Sequence, residues 1–558
     1  MPCAGSEPVL VAPFTRITNG PPWNEIVRSV AAAWGDYDGD GWLDLFIGNS
    51  IGDNQTATRN SLFRNNRDGT FSKVTTGPVA TDLMVSSHCA VWVDYNNDGW
   101  LDLAVADVAV VSPGQPNRLY RNTGGGAFVR VTDDEAGTFV SDLARSVAIS
   151  CADYDGDGLL DFFVGNGALV ANQKDFLYHN EGSGRFVRKE TAFTEPELMT
   201  TQGTWVDYDG DGDLDLFVTH AKDQGNSLFR NDGGGQFTNV TEASGLTHLG
   251  DSVGAAWGDF DNDGDWDLLV INARLNMANT KNFLYRNEGN GTFTKINDGP
   301  IATDAGHFVS ASWIDYDNDG WLDLFVTVDS PVASAPTTVK NRLYHNQGDG
   351  TFVQVTTGSL VTDYARGGGA AWGDYDHNGF PDVAVANGTI FAEQRNGLYQ
   401  NDGNSNAWIK LKCVGTISNR SAIGTQVRVK ATIGGQERWQ LRQIVGSEGW
   451  LAFNALDVLV GLGDATLIDS IRIEWPSGLT QELHNVAPRQ TLTITEGVAL
   501  TLARVGDQTL DLIWSADDYI LESTTNLSHP NWQPVPGVIA QSHRITTEEQ
   551  QFFRLHRP

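Results

Sequence analysis

Seven copies of one acidic phrase divide most of this 558-residue chain into units of similar length. The first reads Asp36-Tyr37-Asp38-Gly39-Asp40-Gly41-Trp42-Leu43-Asp44 and runs into the apolar Leu45-Phe46-Ile47. The others begin at Asp94, Asp153, Asp207, Asp259, Asp315 and Asp374, 52 to 59 residues apart. A repeat of that period restricts the chain to a radial or stacked architecture, because one unit cannot bury its apolar face alone.

The units also match outside the acidic phrase. A small-residue run such as Ala31-Ala32-Ala33-Trp34 precedes it, and Leu43 to Gly48 leaves it. A third segment follows (Asn60 to Asn65), then a Gly turn and a fourth segment around Phe71. Asn117 to Asn122 with Phe128, and Asn341 to Asn346 with Phe352, repeat that order. Four short β-rich segments joined by Gly/Asn/Asp turns predict a four-stranded antiparallel meander, and a radial set of meanders is a propeller. The seventh unit stops at Asn401 without its Phe-bearing strand, and Phe14-Thr15-Arg16-Ile17 supplies the missing piece. The expected fold is therefore all-β: a seven-bladed β-propeller of four-stranded blades, with the N-terminal strand closing the last one, followed by small β-sandwich-like domains.

On these residues the chain resembles the FG-GAP/VCBS repeat family, the integrin α-type propeller. That resemblance implies a calcium ion in the hairpin between the first two strands of each blade. Downstream, Ser418-Asn419-Arg420-Ser421-Ala422-Ile423-Gly424, Gly446-Ser447-Glu448-Gly449-Trp450 and Ile473-Glu474-Trp475-Pro476-Ser477-Gly478 resemble an ASPIC/UnbV module. The expected domains are the propeller at 14–403, the ASPIC/UnbV domain at 405–497 and a small β-rich module at 499–558. The last is marked by Trp514, Tyr519, Trp532 and Phe552.

The acidic spacing D-x-D-x-D-G-x-x-D offers several oxygens to a hard cation from one tight turn, as calcium loops do. In the first loop the ligand set is Asp36, Asp38, Asp40 and Asp44, with the backbone carbonyl of Trp42. The same roles fall to Asp94, Asn96, Asp98, Asp102 and Trp100, and then to Asp153, Asp155, Asp157, Asp161 and Leu159. In the fourth and fifth loops they fall to Asp207, Asp209, Asp211, Asp215 and Asp213, and to Asp259, Asp261, Asp263, Asp267 and Asp265. Asp315, Asp317, Asp319, Asp323 and Trp321, and Asp374, Asp376, Asn378, Asp382 and Phe380, complete the series. Up to seven structural Ca²⁺ are expected, with weaker binding where Asn96 and Asn378 replace a carboxylate. The eleven His form no cluster in sequence, so no transition-metal site is expected.

The formal charge is −33, and 26 of the 70 acidic residues belong to the loops, so seven Ca²⁺ would leave about −19. Such a surface repels phosphate and argues against nucleic acid or anionic membranes as partners. No run of 18 apolar residues could span a bilayer. The four Cys show no metal or disulfide spacing, and Cys89 and Cys151 should pack as small apolar residues. Met1 to Glu7 shows no export signal. Loops of this kind fill near millimolar calcium, which places the chain outside the cell, at its surface or in a periplasm.

The residue eight before each first Asp should lie where the innermost strand begins, at the axial mouth opposite the loops. Around the ring these are Arg28, Ser86, Arg145, Met199, Asp251, His307 and Arg366, with His88 expected on the same strand face as Ser86. Arg recognises carboxylate, sulfate or phosphate through its planar fork. The mouth is a candidate site for an anionic or sugar-acid ligand, or the Arg pair with Glu25, Asp142 and Asp363 and plug the channel. Trp450 would suit a sugar ring if exposed and a core if not.

The favoured function is an extracellular recognition or adhesion scaffold for a glycan or protein ligand. A lyase-like carbohydrate enzyme using His307 or His88, and a purely structural surface protein, are the alternatives. The sequence contains no H-E-x-x-H or phosphate loop.

Overall fold

The computed structural model describes residues 11–51, 58–108, 114–167, 171–273, 280–330, 339–389 and 392–497, together with the backbone of strands between 501 and 556. Cys3, Trp514, Tyr519 and Trp532 lie outside the described residues.

Each unit opens with a seven-residue strand that is buried along nearly its whole length. Ser29–Gly35 (SVAAAWG) is the type, and Ser87–Val93, Ser146–Ala152, Thr200–Val206, Ser252–Gly258, Phe308–Ile314 and Gly367–Gly373 are its equivalents. These strands show no polar alternation because neighbouring sheets cover both faces, and their small residues let the sheets approach. The acidic loop follows and leads into a second strand that begins on the last Asp of the motif, as in Asp44–Asn49. Ser61–Asn65 and Phe71–Val74 then pair outward in a meander.

Among the described residues, seven sheets follow this plan. Their first strands touch in sequence around a closed ring, with Gly367–Gly373 returning to Ser29–Gly35. The last sheet takes its outer strand from the N-terminus, in the register Phe14↔Asn401 to Ile17↔Leu398. Neighbouring sheets are held by aromatic pairs across the seams. Trp34 stacks on Tyr375 at 5.9 Å and donates its indole N–H to Ala371 O at 2.9 Å, and Trp92 stacks on Tyr37 at 5.9 Å.

Beyond Asn401, Ala407–Val414 lies between Val458–Gly463 and a parallel Gln490–Thr495. Gln426–Ile433 pairs with both Gln436–Gln443 and Ile468–Glu474, and Thr480–Val486 completes that four-stranded sheet. The backbone between 501 and 556 forms two three-stranded sheets. Among the described residues no helix is long and apolar enough to cross a membrane. Cys89, Cys151 and Cys413 are free and buried.

Candidate functional site

The acidic turns are built by hydrogen bonds that aim their carboxylates inward. In six loops one oxygen of the first Asp accepts the N–H of the sixth-position Gly, as in Gly41→Asp36 at 3.0 Å and Gly99→Asp94 at 2.7 Å. That Gly has φ of +90 in Gly41 and +96 in Gly264, open to glycine alone at low cost. The fourth position is left-handed too. It carries Gly39, Gly156 or Gly210, Asn97, Asn262 or Asn318, and His377.

The ninth-position Asp is buried at the root of each loop. Its Oδ1 accepts the backbone N–H of the Asn that ends the third strand, from Asn65→Asp44 at 2.8 Å to Asn401→Asp382 at 2.7 Å. Desolvation pushes these carboxyls up, to about 8 in Asp44 and Asp102 and about 9 in Asp215. Several buried oxygens have no protein partner, among them Asp36 Oδ1, Asp44 Oδ2, Asp102 Oδ2 and both oxygens of Asp259. The donor atoms of Asp36, Asp38 and Asp40 lie within 4.8 Å of one another, as do those of Asp153, Asp155 and Asp157. Converging carboxylate oxygens, several of them buried and unmatched by any protein donor, fit a hard divalent ion. The side chains at the first, third, fifth and ninth positions would hold it, with a backbone carbonyl at the seventh. The two Asn-containing loops differ. Asn96 donates to Asp98 at 3.0 Å and Asn378 to Asp376 at 3.2 Å, so an amide does part of an ion's work there.

The same Asn side chains link the loops into a circle. Asn122 Nδ2 donates to Tyr37 O at 2.6 Å, Asn180 to Tyr95 O at 2.9 Å, and Asn65 closes the ring on Tyr375 O at 3.0 Å. Sequence reasoning noted this Asn in every unit without giving it a role; its invariant place before the Gly turn was the available signal. Nor did sequence bring any His to the loops, whereas the structure sets His179 beside Asp155 and Asp161, and His345 beside Asp317 and Asp323.

The seven mouth residues do occupy one level. The carbonyl of each accepts the N–H of the residue after the second strand, from Ser50→Arg28 at 2.9 Å to Gly388→Arg366 at 2.9 Å. Their side chains are not equivalent. Arg28 and Arg145 are half-buried. Arg366 is wholly buried, with Nε 2.7 Å from Asp329 Oδ1 and Nη2 donating to Ser330 O at 2.7 Å, so it is an internal ion pair and not a free anion anchor. The expected acids are engaged by others. Glu25 holds Lys73, Asp142 accepts from the Tyr178 hydroxyl, and Asp363 binds Arg16 and Tyr399. Asp251 Oδ1 accepts the Lys222 N–H at 2.6 Å. His307 is buried, neither ring nitrogen has a partner, and desolvation lowers its pKa. The register shifts between Ser87 and Cys89, and desolvation brings His88 down to about 4.

The loop end of the ring is covered by the domain that follows it. Lys410 Nζ meets Asp374 Oδ2 at 2.7 Å with both side chains buried, Gln426 donates to Asp207 at 2.9 Å, and Ser421 Oγ accepts the Asp94 N–H at 3.0 Å. Gly463 N–H donates to Asn318 O at 2.8 Å, and Arg428 reaches Gly264 O at 3.3 Å. From this cap residues 444–455 descend onto the axis. Ala452 and Phe453 pair in parallel with Ala32 and Ala33 on the free inner edge of the first sheet. Gln202 donates to Gly449 O at 2.5 Å, Cys151 to Gly446 O at 3.5 Å, and Trp372 N–H to Asn454 Oδ1 at 2.8 Å. A segment that reaches the inner strands of four different sheets can do so only from the centre. Trp450 is 9% exposed within this plug, which settles it as core and removes it as a sugar platform.

A family model described as FG-GAP-like repeat matches residues 23–105, 106–164, 153–218, 207–270, 273–326 and 332–385. A second, described as ASPIC and UnbV, matches residues 415–501. The chain is 28% identical over 204 residues to cartilage acidic protein 1 of Homo sapiens, covering 34% of this chain and 28% of that protein. It is 27% identical over 190 residues to cartilage acidic protein 1 of Xenopus tropicalis, covering 33% and 28%. The alignments thus span less than a third of these relatives' length. Among solved structures, a lectin of Agrocybe aegerita described as recognising non-reducing terminal N-acetylglucosamine is 19% identical, with a TM-score of 0.38 over 58% of this chain and 79% of that one.

Proposed function

This chain belongs to the FG-GAP-like repeat family, whose model covers more than half of it, and we propose that it is an extracellular, calcium-stabilised scaffold that recognises an anionic glycan or a protein through the axial mouth. One observation carries this reading. The cap and its plug bind at the loop end of the ring, which leaves the opposite, mouth end for a ligand. Up to seven Ca²⁺ in those loops are structural: each neutralises carboxylates that otherwise repel, and so adds to folding stability. The loops of Asn96 and Asn378 bind calcium more weakly than the rest. Loops of this class fill at extracellular calcium, which supports a site of action outside the cytosol.

At the mouth Arg28 and Arg145 are the anion-recognising groups. Their planar forks match carboxylate or sulfate in pairs of hydrogen bonds. The test is an anionic-oligosaccharide and glycan-array screen on calcium-loaded protein, wild type against Arg28→Ala/Arg145→Ala, with melting temperature as control. A ligand lost in the double variant supports the mouth. A ligand bound equally by both proteins, or no ligand at all, refutes glycan recognition there.

A further inference from the structure

Just before the loop-locking Asn, the third strand of each sheet carries Arg64, Arg121, His179, Arg230, Arg286, His345 or Gln400. In the first sheet this residue closes on the loop as a cation, with Arg64 Nε 2.5 Å from Asp38 Oδ2 and Nη2 3.2 Å from Asp40 Oδ2. In the seventh it donates an amide proton, Gln400 Nε2 to Asp376 Oδ2 at 2.6 Å. Arg121, Arg230 and Arg286 turn instead to Glu135, Asp232 and Glu288.

The two His do neither. His179 Nδ1 lies 3.3 Å from Asp155 Oδ2 and 3.2 Å from Asp161 Oδ1, yet its N–H direction satisfies no hydrogen bond to either. His345 Nδ1 repeats the arrangement, 3.7 Å from Asp317 Oδ2 and 3.1 Å from Asp323 Oδ1, again without a hydrogen bond. The side chains of Asp161 and Asp323 are fully buried. Asp161 Oδ2, Asp155 Oδ1 and Asp317 Oδ1 have no protein partner. A ring nitrogen and carboxylate oxygens 3.1 to 3.7 Å apart and poorly aligned for a hydrogen bond have the spacing of an edge of a coordination polyhedron. Around an ion with bonds of about 2.0–2.1 Å, tetrahedral edges are about 3.3 Å.

We propose that the third and sixth loops hold a borderline divalent ion of the zinc class, through His179 with Asp155 and Asp161 and through His345 with Asp317 and Asp323. The other five loops keep all-oxygen sets. Imidazole favours zinc and its neighbours in the first transition row, whereas calcium takes oxygen donors. This assignment rests on the reading that the loops bind metal ions at all.

Full-length protein is stripped with chelator, dialysed against millimolar Ca²⁺ with micromolar Zn²⁺, and its metals are counted by elemental mass spectrometry. Wild type is compared with His179→Gln/His345→Gln and with His179→Arg/His345→Arg, the latter carrying the residue type of four sister strands. The expected result is about two zinc equivalents in wild type and none in either variant, with calcium in the remaining loops and melting temperature held in the Arg variant. Cobalt in place of zinc should give visible absorption in wild type that both variants lose. Calcium in all loops with no zinc overturns the assignment, leaving the His as counter-cations while the calcium reading stands. Zinc that survives both substitutions also overturns it. Two zinc equivalents without any calcium would uphold it and sink the calcium reading instead.

Discussion

Replacing Gly369 with alanine would set a methyl group inside the van der Waals radius of the Leu451 carbonyl. Gly369 belongs to the inner strand Gly367–Gly373, which is clamped between its neighbours, so relief must come from the plug. The plug is held at that point by Ala32 N–H→Leu451 O at 3.2 Å. Breaking this bond leaves a buried N–H unpaired at about 1–3 kcal/mol. Shifting Leu451, 4% exposed, forfeits part of the roughly 1.5–3 kcal/mol that its burial contributes. The expected loss is therefore about 2–5 kcal/mol, where a Gly→Ala change at an unhindered strand position would be neutral or stabilising by about 0.4–1 kcal/mol. Urea unfolding reads the energy, and chymotrypsin cleavage after Trp450 or Phe453 reads the position of the plug. A variant of full stability whose plug resists cleavage would refute the axial placement of residues 444–455.

The Asn circle predicts that Asn122→Ala, which removes donors to Tyr37 O and Leu101 O in a buried site, costs about 2–4 kcal/mol in urea unfolding; a loss under 1 kcal/mol would mean that the sheets are held by side-chain packing alone. Phe14, 5% exposed and 5.9 Å from the Trp372 ring, closes the ring, so Phe14→Ala should cost about 3–5 kcal/mol and promote proteolysis of the N-terminus. The pH response of chelated protein follows from the raised carboxyls. Folded Asp44 and Asp102 titrate near 8 and Asp215 near 9, against an ordinary 3.8, so the folded state binds more protons between those limits. Stability is then fullest below pH about 4 for these groups and falls as pH rises towards 8–9. Thermal melts at pH 5 and pH 8 should show the chelated protein weaker at pH 8. Millimolar calcium should remove the difference, because the ion takes over from the protons.

The sequence by itself determined the repeat, the loops and the seam. Seven in-phase copies with Gly at the sixth loop position announce seven similar sheets, because that turn needs a left-handed residue wherever it occurs. The missing Phe strand after Asn401 and the orphan Phe14 to Ile17 announce how the ring closes. These features are local, or repeat often enough to be read as local. Tertiary structure alone decided what meets across long separations. Asn65 reaches Tyr375 310 residues away, Gln202 reaches Gly449 247 residues away, and nothing in either segment names its partner. Arg366 could be placed at the mouth by counting, but its pairing with Asp329 depends on a neighbouring sheet. The same holds for Trp450, whose burial in the channel depends on the curvature of the ring, and for the His nitrogens, which the third strand sets beside the loop that opens the second strand it pairs with. Periodicity fixes a residue's level in the ring; which groups oppose it at that level is set only when the ring closes and the cap descends.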